Sequence, residues 1–303
     1  MVKVPPYLKK GDIIGIVAPA GFMAFGKMQS CLEILNDWGF HAKLGDTAFS
    51  HSTTYFSGSD EQRAADLQQM MDDPQVKAIL CARGGYGVSR IIDRLNFKKF
   101  RKHPKWLIGF SDITVLHAHI LSKYNIATLH APMAAAFNDD EHNNPYVQSL
   151  RLALSGENGV YECATHALNR TGLAKGILVG GNLTLMAHLT GSTSDFNTKN
   201  KILFIEDIGE YLYNIDRMLL QLKRSGKLAK LAGLVVGGFT DCKDTERPFG
   251  KSVLEIIQEH IQEYKYPVCF NFPVSHEKEN YALKVGCSYT LEVGDKSVRL
   301  VER

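Results

Sequence analysis

A serine sits where an apolar run gives way to an amphipathic one, in Lys105-Trp-Leu-Ile-Gly109-Phe-Ser111-Asp112-Ile-Thr-Val-Leu-His117. Read as strand then helix, the turn between them lifts the serine oxygen clear of a sheet. It also aims the first N–H groups of the helix at the same space. Those donors and the helix dipole suit a developing oxyanion, so the chemistry this corner can offer is acyl transfer through a serine nucleophile. Gly109, two residues earlier, relieves crowding at the turn. The G-x-S-x-G pattern is incomplete, because Ile113 holds its second glycine position, so this is not an ordinary α/β-hydrolase signature. By itself the stretch also fits a serine N-cap.

A nucleophilic serine needs a base, and the base needs a group to orient it. Of the 11 histidines, His117 and His119 fall on the helix after Ser111, His130 ends a short apolar run and His188 falls in a helical segment. His276 lies in Phe272-Pro-Val-Ser-His276-Glu-Lys-Glu-Asn280, a proline-anchored polar loop after an apolar run, which is the better setting for a base. Glu206 and Asp207 close the apolar run from Lys201, where a pocket would lie, although acids there also fit capping of the next helix. Glu210 stays open as the acid in place of Glu206.

A second loop of interest is Arg83-Gly84-Gly85-Tyr86-Gly87, again between a strand and a helix. Its glycines let the backbone approach a ligand or present unhindered N–H donors. No G-K-[ST] follows, and the dinucleotide fingerprint is absent. Arg83, with Gly84 beside it, opens this loop with a guanidinium able to grip a carboxylate bidentately, should the ligand carry one. A structural salt bridge is the other role open to Arg83.

These residues must be held by elements, and the first half supplies an alternating series. Residues 12–18, 41–44, 78–82 and 106–110 read as strands, and 27–38, 59–71, 88–95 and 113–122 as helices. Strand–helix alternation predicts a parallel sheet covered on both faces, with Ser111 and the glycine loop at the carboxyl ends of its strands. Residues 138–145 are polar and turn-rich, a helix is expected over 145–154, and 155–173 reads as a linker with one extended stretch. Beyond lie strands at 176–179, 201–206 and 231–237, a Gly180-Gly181-Asn182 turn, helices ending near His188 and spanning 214–225 and 253–263, and a strand-rich tail from Tyr281. The expected division is an N-terminal α/β domain over 1–136, a linker over 137–172 and a C-terminal domain over 173–303.

Composition agrees with a folded chain of this kind: 303 residues, 45% hydrophobic and 22% charged, ample for two cores. A net charge of +3, from 35 basic and 32 acidic residues, gives no nucleic-acid footprint. The six cysteines include no C-x-x-C pair, so neither a zinc knuckle nor a thioredoxin-like motif is indicated, and Cys81 and Cys269 read as buried small hydrophobes. No metal-ligand spacing is seen, and no metal or cofactor is expected. The first residues carry no apolar leader, and no run reaches the roughly 20 residues of a membrane span, so the expectation is a cytoplasmic protein without a membrane partner.

Taken in order, seven segments resemble the LD-carboxypeptidase family of serine peptidases, which also includes the microcin-immunity peptidases. They are G-D-I-I-G-I-V-A-P-A-G at 11–21, A-R-G-G-Y-G at 82–87, I-G-F-S-D-I-T at 108–114, G-G-N-L-T-L at 180–185, L-F-I-E-D-I-G-E at 203–210, Y-N-I-D-R-M-L at 213–219, and the His276 loop with N-Y-A-L-K-V-G. The resemblance covers nearly the whole chain. It implies Ser111 as nucleophile, Glu206 as acid and His276 as base, with backbone N–H groups of Gly85 and Asp112 forming the oxyanion hole. It implies an N-terminal Rossmann-like parallel-sheet domain plus a C-terminal β-rich α/β domain of swivelling or barrel-like form, with the site between them, and a homodimer. The implied activity is hydrolysis of the L,D-amide that releases terminal D-alanine from murein tetrapeptides in peptidoglycan recycling. The alternatives are a microcin-type immunity peptidase cleaving a peptidyl- or aminoacyl-nucleotide amide, and a non-catalytic muropeptide binder. The immunity peptidase would want an aromatic platform, and Trp38 and Trp106 both read as core-facing. Many relatives carry Gly-His where this chain has Ser275-His276, a departure that bears on the stiffness of the loop.

Overall fold

The computed structural model describes residues 2–138 and 144–303, so most of the polar stretch 138–145 lies outside the described residues. The chain divides into two compact units, one of residues up to Glu157 with Tyr281–Lys284, the other of Asn158–Asn280 with Val285–Arg303.

The first unit carries strands β1 (Ile13–Val17), β2 (His41–Leu44), β3 (Val76–Cys81), β4 (Trp106–Gly109) and β5 (Thr128–His130). Helices α1 (Gln29–Asp37), α2 (Asp60–Asp72), α3 (Val88–Ile91), α4 (Lys98–Lys102), α5 (Thr114–Tyr124) and α6 (Pro145–Ser155) complete it. The pairings of β2, β1, β3, β4 and β5 are all parallel, as the strand–helix alternation predicts. Every residue of β4 is buried, which is why Trp106-Leu-Ile reads as a continuous apolar run rather than an alternating one. Covering side chains of this size stabilises the fold by about 2 kcal/mol each. Helix α2 starts at a capping box in which Ser59 and Gln62 satisfy each other's backbone N–H groups. Trp38 and Trp106 are both buried, so neither offers an exposed platform for a base.

The second unit holds β6 (Val160–Ala164), β7 (Gly172–Asn182), β8 (Ile202–Ile208), β9 (Gly233–Thr240), β10 (Val268–Cys269), β12 (Ser288–Val293) and β13 (Ser297–Glu302), with α7 (Leu183–Leu189), α8 (Leu212–Arg224) and α9 (Val253–Ile261). Strand β11 (Leu283–Val285) lies instead at the edge of the first sheet, beside β5. The second sheet runs β10-β9-β8-β7-β12-β13-β6. The long β7 joins its two halves, pairing antiparallel with β12 over Gly172–Ile177 and parallel with β8 over Leu178–Asn182.

Three expectations need correction. The stretch 137–172 is no separate linker: α6 is counted with the first unit, and β6 is an edge strand of the second sheet. Gly180-Gly181-Asn182 is not a turn but the end of β7, and a Cβ on Gly180 would sit 1.9 Å from the Phe204 carbonyl oxygen. Glycine is there because two strands approach more closely than a side chain allows. The helix expected over 88–95 is one α-helical turn, α3, followed by a 3-10 turn at Ile92–Arg94. No helix among the described residues is long and apolar enough to cross a membrane.

Candidate active site

Ser111 lies one residue, Phe110, beyond β4 and opens a 3-10 turn, Ser111–Ile113, that leads into α5. Its φ is +62°, the left-handed region that costs a non-glycine residue on the order of 1–3 kcal/mol. A helix cap takes extended backbone, and here the residue before the turn, Phe110, occupies that position without a side-chain cap. Ser111 is therefore a strained corner residue and not an N-cap. Gly109 has φ +155°, and a Cβ there would press within 2.9 Å of Ile113. His117 locks the corner from inside, its Nε2 lying 2.8 Å from the Gly109 carbonyl oxygen, and burial pushes its pKa down to about 4. It is thus a neutral donor.

The glycine loop lies against this corner. A Cβ on Gly84 would come within 2.9 Å of the Ser111 Cβ and 3.1 Å of its Oγ, so no other residue fits without displacing the serine. Gly85 and Gly87 both have positive φ, +98° and +146°. The loop is tied on three sides. Gly21 donates its N–H to the Gly84 carbonyl at 3.0 Å, which gives the last glycine of the 11–21 segment its role. The Asp112 carboxylate accepts from the Val88 N–H at 2.8 Å, fastening the loop to the residue after the serine. Arg63, wholly buried, donates to the Pro19 carbonyl at 2.6 Å and the Gly87 carbonyl at 3.0 Å, and pairs with Asp60. Burial raises Asp112 to about 6, against the opposing pull of the Val88 N–H and Arg63. The Asp112 N–H falls in the first turn, where N–H groups lack an intrahelical acceptor. Arg83 is exposed and gives one Nη1 hydrogen bond, 2.6 Å, to the Phe22 carbonyl. It enters no ion pair among the described residues.

In the second unit the acid and the histidine meet. His276 Nδ1 lies 2.6 Å from Glu206 Oε2, and Glu206 has no solvent exposure. Burial alone would depress the imidazole pKa. The hydrogen bond and charge of Glu206, with Asp207 behind, outweigh it and raise His276 above its usual 6.5. Glu206 sits in β8 where the pairing with β9 slips, between Ile205 and Asp207, a bulge that re-aims side chains at a strand end. The alternative acid, Glu210, is engaged elsewhere: it accepts from Thr184 Oγ1 at 3.3 Å and Asn214 Nδ2 at 2.9 Å.

Sequence reasoning missed the supports of this pair. Asp207 takes hydrogen bonds from Asn182 Nδ2 at 2.7 Å and from the Thr184 N–H and Oγ1, both at 2.8 Å. Burial and the neighbouring Glu206 raise it to about 6. The His276 loop lies against β9: Phe272 donates to the Val236 carbonyl, and Gly238 donates to that of Val274. A Cβ on Gly237 would stand 2.1 Å from the Val274 oxygen, so the Gly237-Gly238 pair was the legible signal. Ser275 Oγ donates to the Glu279 carbonyl and accepts from the Glu277 N–H, each at 3.0 Å, closing the loop by side chain where a glycine could not.

Two family descriptions match the chain, "LD-carboxypeptidase N-terminal domain" over residues 14–131 and "LD-carboxypeptidase C-terminal domain" over 175–291. The chain belongs to the LD-carboxypeptidase family of serine peptidases. A probable murein peptide carboxypeptidase of Bacillus subtilis is 36% identical over 97% of this chain and 92% of its own length. A murein tetrapeptide carboxypeptidase of Pseudomonas aeruginosa is 30% identical over 92% of each. The crystal structure of a muramoyltetrapeptide carboxypeptidase from Oxalobacter formigenes superposes with a TM-score of 0.85 at 28% identity, covering 96% of this chain and 98% of that one. The microcin C7 self-immunity protein shares the fold, with a TM-score of 0.86 at 22% identity over 100% and 99%.

Proposed function

We propose that this LD-carboxypeptidase hydrolyses the L,D-amide that holds the terminal D-alanine of a murein tetrapeptide. Ser111 is the nucleophile, His276 the general base and then acid, and Glu206 the orienting carboxylate. The observation that carries the assignment is the 2.6 Å contact between His276 Nδ1 and the fully buried Glu206. It fixes the tautomer with Nδ1 protonated and leaves Nε2 to take the serine proton. Ser111 attacks the scissile carbonyl carbon, and the N–H groups of Gly85 and Asp112 receive the oxyanion, each stabilising it by about 3 kcal/mol. His276 passes the proton to the departing amine of D-alanine, and water, deprotonated by the same imidazole, releases the acyl group from Ser111. Arg83 receives the free carboxylate that distinguishes an exopeptidase substrate.

The names of the Bacillus, Pseudomonas and Oxalobacter proteins support murein peptides as the substrate class. The test is release of D-alanine from L-Ala–γ-D-Glu–diamino acid–D-Ala, with the L-Ala-terminated peptide and an aminoacyl sulfamoyl adenosine alongside. Turnover of the first alone supports the proposal, and turnover of the nucleotide conjugate alone contradicts it. The same proposal extends to a cytoplasmic homodimer. A monomeric mass by light scattering, or an exported pool on cell fractionation, counts against that extension.

A further inference from the structure

The two outer strands of the second sheet, β10 and β6, come together at a seam. The segment after β6 turns back along β10, where Arg170 and Val268 exchange both backbone hydrogen bonds at 3.0 Å and Phe270 donates to Asn169 Oδ1 at 2.8 Å. At this seam Cys163 Sγ, on β6, lies 4.0 Å from Cys269 Sγ, on β10, although 106 residues separate them in sequence. The two differ in access: Cys163 is partly exposed, while Cys269 is fully buried. A bonded pair needs its sulfurs about 2.0 Å apart, so the 4.0 Å gap must close by about 2 Å for the bond to form.

We propose that Cys163 and Cys269 are a disulfide-forming pair, oxidised by a low-molecular-weight disulfide, that closes the seam between β6 and β10. The Cys163 thiolate attacks one sulfur of the oxidant, forming a mixed disulfide and expelling one thiolate, which takes up the proton Cys163 gave up. Cys269 then loses its proton and attacks Cys163 Sγ, so the S–S bond forms as the second thiol leaves. Two protein thiols are oxidised and one small disulfide is reduced to two thiols. The asymmetry suits these roles. The contact with Cys269 lowers the pKa of Cys163, while the contact with Cys163 and then burial raise that of Cys269, so the accessible thiol reacts first and the buried one resolves. Cys31 and Cys81, fully buried and with pKa pushed upward by burial, do not compete.

The test is incubation of the native protein with oxidised glutathione, an acid quench, alkylation and peptide mapping by mass spectrometry. The expected product has lost two hydrogens, carries one cross-link joining the Cys163 and Cys269 peptides, and returns to the free thiols with dithiothreitol. The Cys269→Ser variant, lacking the resolving thiol, should instead retain one glutathione on Cys163. A wild type that keeps glutathione on Cys163 without the cross-link, or leaves both thiols open to alkylation, overturns the proposal, as does a Cys269→Ser protein with Cys163 unmodified.

Discussion

Glu206 carries its carboxylate, with no solvent exposure, to within 2.6 Å of Nδ1 of His276, 70 positions further along the chain. In the proposed mechanism an ion pair of this kind favours the imidazolium that would form as Ser111 loses its proton. With His276 as the base, the pair should also set the pH at which the enzyme starts to work. The base acts only when neutral, and His276 has its pKa raised above 6.5, so activity is absent below that pKa and appears as pH rises through it. The acid limb of kcat/KM should therefore have its midpoint above 6.5. In Glu206→Gln the burial penalty is no longer opposed by that charge, and the limb should move to lower pH while kcat falls by roughly 10³ to 10⁴. Initial rates across pH 5 to 9, for both proteins, check this.

Gly84→Ala should damage catalysis more than folding. The added methyl would stand 2.9 Å from the Ser111 Cβ, and the serine is the neighbour that must move. A displacement of about 1 Å at a reacting group costs on the order of 10² in rate. The expected outcome is a drop of that size in kcat with a small change in Tm, read by steady-state kinetics beside thermal unfolding.

Arg83→Ala should raise KM and leave kcat close to wild type, because a carboxylate clamp binds ground and transition states alike. Loss of a charge-assisted contact of about 1.5–3 kcal/mol corresponds to roughly 10- to 150-fold in KM. A KM unchanged for the tetrapeptide would reassign Arg83 to its contact with the Phe22 carbonyl, 2.6 Å away.

His117 links stability to pH. Its folded pKa is about 4 against the usual 6.5, so between those values the unfolded chain binds a proton that the native state refuses. Stability is thus full above pH 6.5 and falls as pH drops towards 4, by about 3 kcal/mol from this group. Urea midpoints at pH 7 and pH 4.5 should differ more in wild type than in His117→Asn.

The parallel sheet of the first unit was legible because fully buried strands such as Trp106–Gly109 read as apolar runs, with amphipathic helices between them. From its local stretch alone Ser111 was legible as one of two things, a nucleophile or a cap, and only the family resemblance pointed to the first. What separates them is the φ of +62°, which no residue type announces. Glu206 was favoured in sequence by its place at the end of the apolar run and by the resemblance, with Glu210 left open; in the structure Glu206 meets His276 at the β8 bulge, while Glu210 takes bonds from Thr184 and Asn214. The supports were the least legible part. Arg63 reads as an ordinary helix-face residue, yet it reaches carbonyls at Pro19 and Gly87 in two other loops. Long-range partners of this kind follow from the fold, not from local pattern.

The most direct test of Ser111 as nucleophile is to trap the acyl-enzyme. Wild type and Ser111→Ala are mixed with the murein tetrapeptide, quenched in acid within a turnover, and analysed by intact mass and peptide mapping while D-alanine is followed in parallel. A tripeptidyl adduct on the Ser111 peptide, with D-alanine release lost in the alanine variant and unaffected by chelator in wild type, is the expected result. Undiminished D-alanine release by Ser111→Ala would contradict it.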